Sequence, residues 1–459
     1  MTALRLGYIL TVSDLLPEGV YMKNRIRIFL FSAAAAVICM VSAAAEDQKT
    51  TAKPLTVEDA VKTAIAQNIT IKQNQITVDA DKRAKDHSWN SISPSASVSA
   101  GVTKPNDTSS LTYDWTAYTK ASVSISFSPS LYTSIKKANL NYEQGLITYE
   151  QACRSIELSV RSTFYGLLYE QENLVLQERN LATAKQQYET NQSKYQAGRI
   201  PQLDVLTAQV TYEKLKPTVE SAEITLKNDM ESFKQLLNIN LDTEITLSGS
   251  LDDVLALGSV SLGSTKIDDL VEKALSVASL EKQVESAKNS LMASRFSAYG
   301  PTISAGWTYQ PTIKSNDTSN ATDSGSLTLS ATIPLDGWLP WSTGSDNVAT
   351  ANDNVKNLEL QLENAKTTAK VNIQNYSRQI DQAQSTIQSL QANINLAQQS
   401  YDMTLEAYNH GTKDLLSLQT ASDSLLQAKV SLKSEAYTLI KAVLNLENTS
   451  GVPFGTLGK

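Results

Sequence analysis

The chain has 459 residues, a formal charge of −7 and 41% hydrophobic residues, enough for two or three ordinary domains if the apolar residues were clustered. They are not: Gln, Asn, Ser, Thr and Ala dominate, punctuated by single apolar residues, as in elongated helices with one narrow buried seam, so a thick globular core is excluded. The acidic balance also disfavours nucleic-acid binding.

Residues 1–21 fit neither a signal peptide nor a folded element. Glu18-Gly19 matches a translated purine-rich ribosome-binding stretch, so 1–21 read as a mis-assigned start, with Met22 as the true one. Residues 22–45 read as a signal peptide: a basic start at Lys23, Arg25 and Arg27, an apolar run, and Ala43-Ala44-Ala45 as the cleavage site. The run is too short and too early for an anchor, and no later stretch approaches the roughly 20 apolar residues of a spanning helix. Cys39 lies inside the signal after Ile38, which argues against acylation. Only Cys153 then remains, so no internal disulfide is available. The mature chain, net charge about −9, is expected to be exported.

Two repeats follow, 46–254 and 255–459. "DAVKTAIAQN" from Asp59 resembles "DLVEKALSVA" from Asp269, and Pro94 in "PSASVSAG" matches Pro301 in "PTISAG". "YQAGRIPQLDVLTAQ" from Tyr195 aligns without a gap with "YNHGTKDLLSLQTAS" from Tyr408, pairing Gly198 with Gly411 and Ala208 with Ala421. Each repeat reads as a short helix, a strand pair, a very long helix, a glycine-marked turn and a further helix.

In the first repeat a β-hairpin is expected at about 94–129 and helices at about 132–240. In the second the hairpin falls at about 301–334 and the helices at about 345–448. Ser95–Val102, Ser122–Phe127, Thr302–Tyr309 and Ser326–Ile333 alternate polar with apolar or small residues, so each strand has one apolar and one polar face. Turn-rich PNDTSS near Pro105 and KSNDTSNATDSGS near Lys314 read as exposed loops.

All five tryptophans, Trp89, Trp115, Trp307, Trp338 and Trp341, fall in or beside the strand pairs. Amphipathic rings gather at membrane interfaces and girdle barrels, although an ordinary soluble hairpin with aromatic packing has the same local pattern. Four strands cannot close a barrel, and an open edge cannot face lipid because unpaired backbone groups are costly there. Strands in a membrane must therefore be shared between chains, and three copies would supply twelve.

Ser345 to Asn409 contains no Gly or Pro, and Ile373, Tyr376, Ile380, Ala383, Ile387, Leu390, Ile394, Ala397 and Tyr401 alternate spacings of three and four, the period of a coiled-coil seam. Continuous, this segment would extend roughly 95 Å. Phe164, Leu167, Leu174, Leu181 and Tyr188 mark a comparable stripe in the first repeat, weakened by Gly145 and Gly166. A soluble coiled-coil rod would also account for these helices, but not for the strand pairs.

The duplicated turns, the prolines at the strand ends (Pro94, Pro129, Pro301 and Pro334) and the helix–hairpin–helix order together resemble the TolC-like outer-membrane efflux protein family, over the whole mature chain. The resemblance implies a mainly α fold with a membrane β-barrel portion: a homotrimer whose shared twelve-strand β-barrel in outer-membrane lipid continues into a trimeric α-barrel in the periplasm. It implies a passive exit duct of a tripartite efflux pump or type I secretion system, working with a periplasmic adaptor (membrane fusion) protein and an inner-membrane pump.

It further implies a periplasmic gate latch of Asp204, Tyr408 and Lys413, with lysine standing where the family has an arginine and losing the planar bidentate contact. Adaptor-docking turns are implied at Gly198, Arg199, Gly411 and Thr412. Ser417 and Thr420 occupy the positions of the aspartate ring that some members carry, so that ring is not transferred.

No cofactor, metal or catalytic residue is expected. His87 and His410 are the only histidines, Cys153 sits on a predicted helix, and nothing resembles a phosphate-binding loop. The competing reading is a trimeric coiled-coil surface adhesin or stalk, which predicts one terminal membrane segment rather than strand pairs repeated inside each half. The exported substrate, whether drug, metal or polypeptide, is left open.

Overall fold

A computed structural model of the chain describes residues 53–104, 115–252, 267–314 and 317–457. The expected start, signal peptide and PNDTSS loop lie outside these residues. Two helices of equal length organise everything else: α3 (Ser130–Gln196) and α7 (Thr343–Asn409), 67 residues each, about 100 Å at helical rise. Each turns back through a short tip into a 36-residue helix, α4 (Gln202–Leu237) or α8 (Leu415–Ser450). A shift of 213 residues carries Ser130 onto Thr343, Gln196 onto Asn409, Gln202 onto Leu415 and Leu237 onto Ser450, so the duplication holds residue for residue in the helices.

The short helix expected before each strand pair is two helices in both repeats: α1 (Val57–Gln67) and α2 (Ile69–Asp86), then α5 (Ile267–Lys273) and α6 (Leu275–Tyr299). Asn68 makes the first break, since its side-chain oxygen accepts from the Thr70 N–H and caps α2 while its own N–H closes α1 on Ala64. Toward the sheet, α3 packs on α2 and α6, and α6 also packs on α7; toward the tip, α3 lies between α4 and α8, and α8 packs on α7. The order across that half is thus α4, α3, α8, α7, with α4 and α7 at the two edges.

The helices bury one seam each. Val160, Phe164, Leu167, Leu168, Phe233 and Leu237 form one core with α1, and Ile373, Ile380, Ala383, Ile387, Leu439, Ala442 and Leu446 form its counterpart with α5. Beside the first core, β1 (Lys53–Leu55) pairs in parallel with β4 (Ile245–Leu247), a small sheet too short to show in the sequence pattern.

The larger sheet contains β2 (Ser95–Thr103), β3 (Thr116–Phe127), β5 (Thr302–Tyr309), β6 (Pro311–Lys314), β7 (Asp317–Asp323) and β8 (Ser326–Thr332). Its order is β2-β3-β5-β8, antiparallel, with β6 and β7 extending β5 and β8 beside the start of β3. The stretch KSNDTSNATDSGS, expected as a loop, is therefore mostly strand. At the junction Asp323 Oδ1 accepts from the Gln310 and Gly325 N–H groups at 3.0 and 2.8 Å, and the Ser324 N–H bonds Gln310 O at 3.0 Å. Turn-forming residues thus make a bulge inside a long hairpin, because a carboxylate and a glycine absorb the irregularity.

Candidate functional site

The strand registers sort the sheet into two unlike faces. Val98 pairs with Ala121, Val123 with Trp307, Phe127 with Ile303 and Ala305 with Leu329, all on one face. Ser95 pairs with Ser124, Ser97 with Ser122 and Ser304 with Ser330 on the other, with side-chain oxygens 2.7–2.9 Å apart. On the apolar face Val98 is 83%, Leu327 81% and Leu329 78% exposed, so among the described residues none of the chain covers it. Such a wall is stable where lipid meets one side and water the other. Among the described residues no helix is long and apolar enough to cross a membrane.

Four of the five tryptophans lie at the two ends of this wall. Trp89 lies in the short turn Ser88–Ile92 before β2, and Trp338 and Trp341 lie between β8 and α7, all at the helix end and all exposed. Trp115 precedes β3 at the far end, and Trp307 stands within β5 on the apolar face. Amphipathic rings of this kind favour places where an apolar surface meets water.

At the other extremity the two tip turns are alike. Gly198 and Gly411 adopt φ of +69° and +73°, a left-handed conformation that glycine enters without a Cβ penalty. The N–H groups after each helix fold back: Gly198 to Tyr195 O and Arg199 to Lys194 O, then Gly411 to Tyr408 O and Thr412 to Ala407 O. Arg199, Thr412 and Lys413 are exposed. Asp414 caps α8 by accepting from the Ser417 N–H at 2.9 Å, and hydrogen bonds from the Ser417 hydroxyl first and then from its N–H hold the carboxyl below the usual range, with Lys413 assisting. Ser417 is thus a capping partner, while the Thr420 hydroxyl donates to Leu416 O within α8.

Between the tips the helix pairs close around Tyr408, Ala208, Leu415 and Leu418, packed by Tyr188, Tyr401 and Leu405. The Tyr408 hydroxyl donates to Asn191 Oδ1 at 2.7 Å, and Asn191, fully buried, directs its Nδ2 toward the Asp204 backbone carbonyl at 3.4 Å. Burial pushes the Tyr408 phenol up, and the Asp204 charge adds to this against the Asn191 contact. Lys194 Nζ lies 4.8 Å from the centre of the Tyr408 ring. A second link crosses between the repeats where Gln419 Nε2 donates to Thr211 Oγ1 at 2.8 Å.

Asp204 is half-buried in the first turn of α4, close to Tyr408, but within one copy the tyrosine reaches it only through Asn191. Asn191, Thr211 and Gln419 were not singled out from the sequence. Amides and hydroxyls abound on every helix here, so nothing in the pattern separates the few that meet.

Other polar groups lie away from the tip. Glu447, fully buried near the end of α8, accepts from the N–H groups of Gly455, Thr456 and Leu457 at 2.9–3.0 Å, while Arg154 donates to the carbonyls of Gly451, Glu447 and Val452. The C-terminal segment is thereby fastened to α3. Glu170 on α3 faces Asp229 on α4, and burial first, then the Asp229 charge and hydrogen bond, push its carboxyl up to about 7. The Cys153 thiol is half-buried on α3 and raised by burial, and His87 caps α2 with Nδ1 2.9 Å from Arg83 O. Among the described residues no cluster of His, Cys, Asp and Glu could hold a metal ion.

A two-faced sheet hung on duplicated long helices is the protomer of an outer-membrane channel. The outer membrane efflux protein family matches residues 60–238 and 267–452, and the chain belongs to that family. Its fold is similar to the crystal structure of CusC, a protein in which conformational changes accompany folding and transmembrane channel formation (TM-score 0.76, 15% identity, 86% of this chain and 92% of that one). It is also similar to the outer membrane channel CmeC of Campylobacter jejuni (0.72, 17%, 86% and 85%) and to the open state of the MtrE outer membrane channel of Neisseria gonorrhoeae (0.71, 16%, 86% and 89%). Among curated proteins nothing matches. The protein is an outer-membrane efflux duct, and nothing in these matches supports an adhesin or stalk.

Proposed function

We propose that three copies assemble into one passive conduit, a twelve-strand barrel in outer-membrane lipid continued by a twelve-helix barrel, and that docking of a periplasmic adaptor and its inner-membrane pump opens the tip. The observation that carries this reading is the set of incomplete edges. β2 and β8 end the sheet with unpaired backbone, which cannot face lipid. The edge helices α4 and α7 leave apolar stripes bare: Leu203, Leu206 and Val210 at 70, 49 and 66% exposure, and Leu396 and Met403 at 65 and 71%. The spacings of three, four and seven put each set on one helix face. Joining α7 of one copy to α4 of the next, and β8 to β2, satisfies all four edges by a single rotation that closes into a ring.

In this assembly Tyr408, bridged by Asn191, ties the helix pairs within each copy. Asp204 and Lys413 lie at the tip where charges of opposite sign meet between copies, completing the latch. Contacts of this kind are worth about 0–1 kcal/mol each when exposed, weak enough for a docking partner to release. The exposed turns at Gly198, Arg199, Gly411 and Thr412 are the docking points. Trp89, Trp338 and Trp341 lie at the periplasmic interface of the lipid, and Trp115 at the opposite one. Single-channel recording in planar bilayers, with the oligomeric mass measured in the same detergent, tests the assembly. A trimer with a small conductance that rises in Asp204→Ala is expected; a non-conducting monomer would refute it.

A further inference from the structure

The inner wall of the barrel carries almost no charge. The polar face of the sheet consists of Ser95, Ser97, Ser99, Gly101 and Thr103 on β2, continued by serine, threonine and glycine on β5 and β8. On β3 the same face holds Thr116, Tyr118, Lys120, Ser122, Ser124 and Ser126. Lys120 is the one charged side chain on this face of the four strands among the described residues, and it stands opposite Ser99. Its neighbour Tyr118 does not project with it. The Tyr118 ring lies flat over Gly101, so close that a Cβ there would fall 2.6 Å from the hydroxyl. The glycine makes room for the ring against the wall, leaving Lys120 as the longest group that reaches inward.

We propose that Lys120 determines the charge preference of the barrel, favouring anions over cations in the solutes that leave through it. This rests on the trimeric duct described above, which repeats the ammonium three times at one height. Strands about 4.8 Å apart and tilted by about 40° put the backbone of a twelve-strand barrel about 12 Å from its axis. An extended lysine reaches about 6 Å, so an ion on the axis passes within a Debye length, about 8 Å at physiological salt, of all three charges. Three such attractions in water, roughly halved by screening, enrich a monovalent anion on the order of fivefold at this level and deplete a cation to the same degree. Serine and threonine hydroxyls hydrate either sign alike, so the rest of the wall does not oppose the ring. Lys314 shares the polar face one strand further at the level of Thr116, but the register pairs it with Asp317, of opposite sign, so that level adds no net charge.

The test is the reversal potential of single channels of the full chain in a potassium chloride gradient, for wild type, Lys120→Gln and Lys120→Glu. Chloride preference is expected in the wild type, a severalfold loss of it in Lys120→Gln, and a swing toward potassium in Lys120→Glu, with trimer mass unchanged. Equal reversal potentials in conducting wild type and Lys120→Gln overturn the proposal while leaving the duct intact. Absence of any current from the wild type instead removes the duct reading on which it stands. Lys120→Gln keeps a polar group of similar size, so its comparison with wild type decides even if Lys120→Glu fails to insert.

Discussion

Tyr408→Phe removes one oxygen from the buried junction between α7, α3 and the start of α4, and its consequence follows from the geometry. The hydroxyl donates at 2.7 Å to Asn191 Oδ1 in a residue with no exposed surface. Deletion leaves that acceptor without a partner and out of reach of water, at a cost of about 1–3 kcal/mol. On the gating proposed above, tip opening separates α7 from α3, so the penalty falls on the closed arrangement. At about 1.4 kcal/mol per tenfold, the closed-to-open ratio drops by one to two orders of magnitude. Single-channel recordings of Tyr408→Phe are therefore expected to show longer or more frequent openings. Asn191→Leu with Tyr408→Phe removes the stranded Oδ1 together with its donor and recovers part of the closure, less the long contact from Asn191 Nδ2 to the Asp204 carbonyl. Wild-type gating in a folded Tyr408→Phe trimer, or a double variant more open than either single one, would refute the reasoning.

Glu447→Ala takes the acceptor from three part-buried N–H groups of the C-terminal segment and is expected to destabilise the fold by about 1–3 kcal/mol, whereas Glu447→Gln keeps two of the three acceptor contacts and costs less. Denaturant melts, with proteolysis reporting release of residues 451–457, distinguish the two. Glu170 gives a pH dependence of defined sign. Its carboxyl is raised from 4.5 to about 7 in the fold, so the folded chain holds a proton that the unfolded chain releases. The stabilisation is complete below about 4.5 and is lost as the pH rises to about 7. Glu170→Gln mimics the protonated form, and its melting temperature is expected to fall less across that window than that of the wild type.

The alternation of Ser with Val, Ala and Ile in the strands, and the heptad stripe through Ile373, Ile380 and Ile387, made the two-faced sheet and the long helices legible, because periods of two and three-and-a-half are properties of local geometry. The equal-length repeats and the tip glycines were legible for the same reason: a left-handed turn demands a particular residue at a particular place. The bulge at Asp323 and Gly325 was hidden, since residues that end a hairpin also carry a bulge through one. The parallel pair β1 and β4 was hidden by its shortness.

Contacts between distant segments were decided by the tertiary structure alone. Repeat equivalence places Glu170 and Asp229 where the other half has Ala383 and Ala442, buried in one core. The sequence shows two acids among dozens; only packing makes them face each other. Asn191 resembles every other asparagine on α3 until the fold brings Tyr408 to it. The sequence thus determines the elements, their periodicity and the unsatisfied edges that require further copies. Which polar groups meet across the seams depends on how long helices pack over their length, where a small difference in rotation or height exchanges one amide for another.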